Sequence, residues 1–359
     1  MLAPYLTAGA AVIRSNFHRL PRPYKLTLAL TYRCNFHCRA CRTWCRPPGD
    51  EMSLEELEKF FRRQNYFSWV DLTGGEISIR EDLPEVLRAA TANSRRLVLL
   101  HFPTNGYLTE EIVKAVRAAQ RRPGLKFVVT ISLDGPPEIH DRLKGMAGSW
   151  ERALETFAAL RRERGVEVFL GMTLQKENLH LRRETIAAVR ERIRGFDPAD
   201  LHYNIAQRAF FYDNLDLDPS PGQAALAVLE EITPRFRFIS GPRSFLERTY
   251  LRKARKFILD GFCPLPCQAL SASCFIEPNG GVYPCTGYDR PLGNLRDMDY
   301  DLTPIWKGRE AVKLQEEIVG GLCPHCWTPC EAYQTILGNL FGKAGRHAHS
   351  YSPRKTTAE

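Results

Sequence analysis

Short apolar runs rich in valine, leucine and isoleucine recur along the first part of the chain, with amphipathic segments between them. The runs are continuously apolar rather than alternating with polar residues, as expected for strands that are covered on both faces. They predict six strands, at 25–31, 68–74, 96–104, 126–134, 167–175 and 201–207. The amphipathic segments predict helices at 53–64, 83–94, 109–122, 149–165 and 180–194.

This strand–helix alternation predicts an α/β fold with a parallel barrel or partial barrel. Functional groups of such a fold lie on the loops that follow the strand carboxyl ends. In the later part of the chain, Asn279-Gly280 within "CFIEPNGGVYPC" predicts a β-hairpin. We expect an N-terminal segment at 1–23, a barrel at 24–210, a helical linker at 211–262, a small cysteine-rich extension at 263–341 and a disordered tail at 342–359.

The composition is that of an ordinary globular protein, with 359 residues, 44% of them hydrophobic and 25% charged. The net charge is +9, but arginine-rich runs such as "RRERG" lie on predicted helices, where a solvated polar face is the usual explanation. Because no basic stripe with interleaved aromatic residues occurs, we expect no nucleic-acid partner. No apolar run reaches the roughly 18 residues of a membrane span, and the first residues lack the features of a signal peptide. We therefore expect a cytoplasmic protein.

Eleven cysteines are the most unusual feature of this composition. A reducing cytoplasm disfavours disulfides, and the odd count does not suit a fully paired set. Cys34, Cys38 and Cys41 form a C-x3-C-x2-C pattern directly after the first predicted strand. Three thiolates on one loop can hold a [4Fe–4S] cluster and leave one iron open. A structural zinc site needs four ligands, which Cys45 or His37 would complete, so zinc remains an alternative for this loop.

Short polar motifs follow the next three predicted strands. They are "LTGGE" at 72–76, "PTNG" at 103–106 and "SLDG" at 132–135. Each of these turns is common by itself, but their occurrence in this order at three successive strand ends is uncommon. Together with the cysteine triad they make the sequence resemble the radical S-adenosylmethionine (SAM) superfamily over roughly residues 24–210. The resemblance implies a partial (β/α)6, TIM-like barrel, a [4Fe–4S] cluster held by Cys34, Cys38 and Cys41, and SAM bound to the open iron.

The resemblance also implies which residues surround SAM. A cationic partner for its carboxylate is expected at Arg142 or Arg152. The remaining implied contacts are Gly74, Gly75 and Glu76 for the ammonium, Ser132 and Asp134 near the ribose and carboxylate, and Thr104 and Asn105 on the same rim.

A second group of cysteines lies behind the predicted barrel. Two thiolates flanking a hairpin and a C-x2-C turn suit a four-ligand soft-metal site, and the spacing alone fits a zinc ribbon equally well. The spacing of Cys267, Gly280 and Cys285 resembles the SPASM/twitch extension of radical SAM enzymes, which implies an auxiliary [4Fe–4S] cluster. The implied ligands are Cys267, Cys285, Cys323 and Cys326, with Cys330 or Cys263 able to replace one of them.

The resemblance therefore predicts an enzyme that reductively cleaves SAM to a 5′-deoxyadenosyl radical and abstracts hydrogen from a substrate. We expect this substrate to be a peptide or protein side chain, as for a maturase, or a small polar metabolite. An electron donor such as flavodoxin or ferredoxin is the expected redox partner. The competing hypothesis is a non-catalytic metal-binding or regulatory protein that carries zinc or an iron–sulfur cluster on a similar barrel.

Overall fold

One large β-sheet organises the chain. The computed structural model describes residues 2–119, 123–234 and 241–342. Its strands are β1 (Lys25–Ala29), β2 (Trp69–Thr73), β3 (Leu99–Thr104), β4 (Lys126–Ser132), β5 (Val166–Leu174), β6 (Leu201–Ile205), β7 (Ser273–Ile276), β8 (Gly281–Tyr283) and β9 (Gly293–Asn294). They form a single sheet in the order β6-β5-β4-β3-β2-β1-β7-β8-β9. Strands β1 to β6 are parallel, so the open α/β barrel predicted from the sequence is confirmed.

Helices alternate with the strands of the barrel and also cover the C-terminal part. They are α1 (Ala3–Ser15), α2 (Leu54–Arg63), α3 (Leu83–Asn93), α4 (Thr109–Ala118), α5 (Pro137–Lys144), α6 (Ser149–Leu160), α7 (Arg182–Arg192), α8 (Ala225–Ile232), α9 (Pro242–Asp260), α10 (Thr303–Lys307), α11 (Arg309–Val319) and α12 (Pro329–Leu337). Five of them correspond to the predicted barrel helices, although residues 120–122 of the fourth prediction lie outside the described residues. Helix α5 was not predicted.

Helix α2 shows why these segments become helical. The Ser53 side chain accepts a hydrogen bond from the backbone N–H of Glu56, and the Glu56 carboxylate accepts one from the backbone N–H of Ser53. This capping box satisfies two donors that the first turn leaves without helical partners. The buried face of α2 places Phe60 against Phe61 and Phe67, with ring centroids 5.5 and 6.3 Å away. Burying each such ring stabilises the fold by about 1.5–3 kcal/mol.

The C-terminal extension continues the barrel sheet. Strand β7 pairs in parallel with β1, with Lys25 opposite Ser273 and Leu28 opposite Ile276. Strands β7 and β8 then form the predicted hairpin, and Gly280 adopts a φ of +86° at its turn, a conformation that favours glycine. The extension is therefore part of the same sheet as the barrel, which the sequence pattern did not indicate.

Two helices, α8 and α9, occupy the segment predicted as a helical linker. Helix α9 packs on the C-terminal region through Tyr250, whose ring lies parallel to Trp327 with 6.1 Å between centroids. Residues 343–359, which include nearly all of the predicted tail, lie outside the described residues. Among the helices of the described residues, none combines the length and apolar character that crossing a bilayer requires.

Candidate functional site

The front cysteine loop follows β1 at the carboxyl end of the sheet. Cys34, Cys38 and Cys41 are half-buried on this loop, and Cys45 is exposed at the end of a short 3-10 helix. Burial raises the pKa of Cys34 to about 12 and that of Cys38 to about 11, and the neighbouring thiolates of the triad contribute to both shifts. The three thiols of the triad are thus close enough to repel one another as anions. A bound cationic group would remove that repulsion.

The front loop is held by the carboxyl end of helix α5. The backbone N–H groups of His37 and Arg39 donate to the carbonyls of Lys144 and Leu143, at 3.2 and 3.1 Å. Gly145 ends the helix with a φ of +65°, and a Cβ there would lie 2.6 Å from the His37 carbonyl oxygen. Glycine is required at this position both for its backbone conformation and for the close approach of the cysteine loop.

The turn after β2 lies against the chain just before the first cysteine. The backbone N–H of Gly75 donates to the Thr31 carbonyl and that of Glu76 to the Arg33 carbonyl, both at 2.9 Å. A Cβ on Gly75 would lie 2.2 Å from the Arg33 carbonyl oxygen, so only glycine permits this contact. The neighbouring Gly74, with a φ of +156°, packs against Thr31. The two predicted glycines therefore place this turn directly beside the cysteine loop.

Glu76 joins the turns that follow β2 and β3. Its carboxylate accepts hydrogen bonds from the Thr104 hydroxyl at 2.8 Å, the Asn105 backbone N–H at 2.6 Å and the Ser78 backbone N–H at 3.0 Å. The side chain is buried, and burial raises the pKa of its carboxyl group. Asn105 also donates to the Asn35 side chain at 2.7 Å, between the first two cysteines. The structure thus brings together the predicted residues Glu76, Thr104 and Asn105 beside the triad.

A buried ion pair follows β4. Asp134 accepts from Lys144 Nζ at 2.8 Å and from the Thr173 backbone N–H at 2.8 Å. Burial alone would lower the pKa of Lys144, but Asp134 and Cys38 more than offset this effect and raise it. Lys144 therefore carries a positive charge next to the cysteine triad. Ser132, also predicted for this site, is the half-buried last residue of β4.

The structure places Lys144 next to the cysteine triad, whereas the sequence predicts a cationic partner for SAM at Arg142 or Arg152. Arg142 is exposed on helix α5, and Arg152 is bound to Glu155 and to the Tyr107 carbonyl. Because residues 142 and 144 are separated by about 200° around a helix, only one of them can face the site. The sequence did not predict α5, so it gave no signal that Lys144 would point inward.

Five of the rear cysteines line one partly open cavity. Its lining includes Cys263, Cys267, Cys285, Cys323 and Cys326, contributed by separate segments of the chain. Burial raises the pKa of Cys326 to about 12 and the pKa values of Cys267 and Cys285 well above the ordinary value. A buried set of several thiols fits a soft metal or an iron–sulfur cluster. The predicted ligands Cys267, Cys285, Cys323 and Cys326 therefore share a site.

Cys330 differs from the other predicted ligands. It lies in the first turn of α12 but does not belong to the cavity lining, and its thiol neighbours Tyr212 and Lys25. Cys263 does line the cavity, and its thiol donates to the Leu265 carbonyl at 3.0 Å. In the part of the chain that the structure describes, no three cysteine, histidine or acidic side chains already converge on a single metal position.

Glu331 is a further residue of the rear cavity that the sequence analysis missed. Its side chain is 3% exposed and accepts from the Ser273 hydroxyl at 3.2 Å and from the Gln334 amide at 2.5 Å. Within residues 2–119, 123–234 and 241–342, the second carboxylate oxygen has no hydrogen-bond partner, and burial raises the pKa of this carboxyl group to about 7. Its adjacency to Cys330 was the only sequence signal.

Comparison with known families identifies the two domains of this chain. A family model described as "Radical SAM superfamily" matches residues 28–189, and an "Iron-sulfur cluster-binding domain" model, SPASM, matches residues 267–327. The chain belongs to the radical SAM superfamily. Its C-terminal extension is a SPASM domain, so the resemblance stated from the sequence is confirmed. The radical SAM domain brings a [4Fe–4S] cluster and SAM, and the SPASM domain brings auxiliary iron–sulfur clusters.

Relatives of this radical SAM protein include two differently named enzymes. The AdoMet-dependent heme synthase of Methanosarcina barkeri is 27% identical over 85% of this chain and 88% of its own. The mycofactocin maturase MftC of Mycobacterium tuberculosis is 29% identical over 89% of this chain and 80% of its own. Among solved structures, anSMEcpe with bound AdoMet and Kp18Cys peptide has a TM-score of 0.57 at 19% identity, covering 82% of this chain and 83% of that one. This likeness confirms the fold.

Proposed function

We propose that this radical SAM protein cleaves SAM reductively at the front cysteine loop and abstracts hydrogen from a peptide side chain. The observation that carries the proposal is the position of the cysteine triad. Cys34, Cys38 and Cys41 lie beside the buried Glu76 network and the Asp134–Lys144 ion pair at the carboxyl ends of the barrel strands. When bound, the cluster supplies the electron that breaks the carbon–sulfur bond of SAM.

The proposed roles follow from the chemistry of each residue. Cys34, Cys38 and Cys41 bind three irons and leave the fourth for SAM. Glu76 fixes the turn containing Gly74 and Gly75, whose backbone meets the SAM ammonium. An ammonium group has three N–H donors, so Lys144 can bind Asp134 and still meet the SAM carboxylate. Ser132, Asp134, Thr104 and Asn105 complete the proposed rim.

The rear cavity is proposed to hold the auxiliary cluster through Cys267, Cys285, Cys323 and Cys326. Cys263 can replace one of these ligands from within the cavity. Cys330 would have to reach the cluster from the neighbouring helix turn, where its thiol lies beside Tyr212. The lining is mostly apolar, which limits the access of water to a reduced cluster, and the exposed residues Arg208 and Pro324 form its open side.

A peptide is the first candidate substrate. The maturase relative covers most of this chain, and a structure of similar fold contains both AdoMet and a peptide. The second candidate is a carboxylate-bearing iron porphyrin, which the similarly related heme synthase favours. A small polar metabolite is a third possibility that the sequence analysis raised, and neither relative named above supports it.

The test uses anaerobically reconstituted protein with dithionite and SAM. Formation of 5′-deoxyadenosine is measured by mass spectrometry with a peptide pool, with a carboxylate-bearing iron porphyrin, or with neither. We expect the peptide pool to accelerate product formation, and deuterium from a labelled peptide to enter 5′-deoxyadenosine. Acceleration by the porphyrin alone would favour the second candidate. Absence of 5′-deoxyadenosine under all conditions would contradict a catalytic role and favour a metal-binding one.

A further inference from the structure

The segment that follows β6 passes between the two cysteine sites. Residues 207–214, called here the link segment, leave the carboxyl end of the last barrel strand and run between the front loop and the rear cysteines. The link segment contributes neither a cysteine nor a residue of the proposed SAM rim. Its hydrogen bonds nevertheless reach both sites. In each case the bonded residue lies within two positions of a proposed ligand in the sequence.

On the front side, the link segment holds the chain on both sides of Cys41. The Asn214 amide donates to the carbonyl of Ala40 at 2.7 Å, and the backbone N–H of Arg42 donates to the Tyr212 carbonyl at 2.8 Å. The Thr43 hydroxyl lies 3.2 Å from both Cys41 Sγ and the Phe211 carbonyl oxygen, to which it donates. The position of Cys41 is therefore fixed from the link segment.

On the rear side, the link segment binds the residues that directly follow two proposed ligands. The backbone N–H of Trp327, next to Cys326, donates to the Gln207 side-chain oxygen at 2.7 Å. The Phe211 backbone N–H donates to the carbonyl of Thr286, next to Cys285, at 3.1 Å. Phe211 thus makes one backbone contact toward each site.

Internal hydrogen bonds brace the link segment. Asn214 is fully buried, and its side-chain oxygen accepts from the Ala209 backbone N–H at 2.8 Å. Its amide nitrogen donates to the Gln207 carbonyl at 3.2 Å as well as to Ala40. Asn214, which binds the front loop, therefore also binds Gln207, which in turn binds the rear loop. A displacement at one end cannot be absorbed within the segment without breaking these bonds.

We infer that the link segment couples the two sites, so that occupation of the rear cysteine cavity holds Cys41 and its neighbours in the geometry that binds SAM. The inference rests on the proposed function, because it takes Cys41 and Cys326 as ligands. The coupling is a free energy shared between the sites and acts in both directions. A contiguous set of hydrogen bonds carries it, and each end offers a residue that can be changed by itself.

The test is a double-mutant cycle on reconstituted full-length protein. The rear cluster is removed by Cys323→Ser with Cys326→Ser, and the contact between the link segment and Trp327 is removed by Gln207→Met. SAM affinity is read from the change that SAM makes in the electron paramagnetic resonance signal of the reduced front cluster. We expect removal of the rear cluster to weaken SAM binding about 2- to 30-fold in the wild type. In the Gln207→Met background the same removal should weaken SAM binding by a smaller factor, since the Phe211–Thr286 contact remains.

Matched variants separate the coupling from general damage. Gln207→Glu keeps an acceptor for the Trp327 N–H, so it should retain the wild-type coupling. At the other end, Asn214→Asp keeps the acceptor for the Ala209 N–H but loses the amide that donates to the Ala40 and Gln207 carbonyls. It should therefore reduce the coupling as Gln207→Met does. Asn16→Asp is the control for placing a carboxylate at a buried asparagine, because Asn16 binds Val12 and Leu337 far from the link segment in the sequence.

The outcomes distinguish this inference from the proposed function. Loss of about four irons per chain from the cysteine variants would support the rear ligand assignment. If SAM affinity then falls equally with and without the Gln207→Met change, or does not fall, the coupling is wrong. If the same variants lose no iron, the rear ligand assignment is wrong. If SAM never perturbs the front signal, the proposed function and the coupling are both wrong.

Discussion

The front and rear cysteine sites are built in opposite ways. The front triad lies on one short loop, and the chain holds this loop from outside through Gly75, Gly145 and Asn105. Five of the rear cysteines come from separate segments and line one partly open cavity. A charged pair, Asp134 and Lys144, accompanies the front site, whereas the carboxyl group of the rear cavity, Glu331, has one oxygen that no described residue binds. The site proposed to bind SAM contains a fixed charge pair, whereas the cavity proposed to hold the auxiliary cluster has mostly apolar walls.

The largest expected difference between the two sites is catalytic. Cys38→Ala should abolish formation of 5′-deoxyadenosine, because two thiolates remain to hold a cluster that needs three. Cys323→Ala should leave cleavage of SAM measurable while stopping turnover of the substrate. Both reactions are followed by mass spectrometry under anaerobic reduction. Cys45→Ala is the control, since this exposed thiol lies outside the triad, and its product yield should match the wild type. Wild-type yield from Cys38→Ala would contradict the front ligand assignment.

The next largest effect concerns the buried charge beneath the rear site. Lys25 is fully buried, lies 3.0 Å from Asp71 and donates to the Cys330 carbonyl. Lys25→Ala leaves Asp71 buried without its cation and should lower the free energy of unfolding by about 3–5 kcal/mol. Lys126→Ala, which removes an exposed lysine 3.5 Å from Glu167 at the start of another strand, should cost less than about 1 kcal/mol. Equal losses in urea denaturation would show that burial of the pair is unimportant.

A pH dependence of stability should arise from Glu331 in the rear cavity. Burial raises the pKa of Glu331 to about 7, above the usual value of 4.5. Between pH 4.5 and pH 7 the folded chain therefore keeps a proton on this carboxyl group, whereas the unfolded chain has released it. The stability contributed by the protonated form is complete below pH 4.5 and is lost as the pH rises through 7, by about 1–3 kcal/mol. Glu331→Gln should remove this part of the decline. Thermal unfolding from pH 5 to 8 measures the difference, and parallel profiles of the two proteins would contradict it.

The smallest expected effect tests how tightly the front loop is held. Gly145 and Gly148 both adopt positive φ values, +65° and +73°, so alanine at either should cost about 1–2 kcal/mol of backbone strain. Only at Gly145 would the new Cβ also meet the His37 carbonyl, whereas nothing lies within 4 Å of it at Gly148. Gly145→Ala should therefore be the more destabilising and should alone reduce the iron content. Equal effects of the two variants would argue against the close contact.

The contrast between the sites also explains what the sequence could predict. The six parallel strands, the capping box of Ser53 and Glu56, and the hairpin at Gly280 all have local signals, and the structure confirms them. The front triad likewise has a local spacing. The pairing of β1 with β7 has none, because parallel neighbours that are distant in sequence share no turn.

Helix α5 shows a second limit. It is short, begins at Pro137 and ends at Gly145, so its two turns gave too weak a periodicity to predict. With the helix missed, Lys144 could not be placed inside the site. Glu331 was missed for a similar reason, since its burial depends on the packing of α12 rather than on any pattern around it.

The pairing of β1 with β7 has a consequence for how the chain is made. Strand β1 leaves the ribosome early, but the neighbour on one of its edges is among the last strands to be synthesised. Until then that edge presents unpaired amide and carbonyl groups, which invite pairing with other nascent chains. A chain that terminates prematurely before residue 273 keeps this edge open permanently. Truncated products should accumulate in inclusion bodies rather than as a separable barrel.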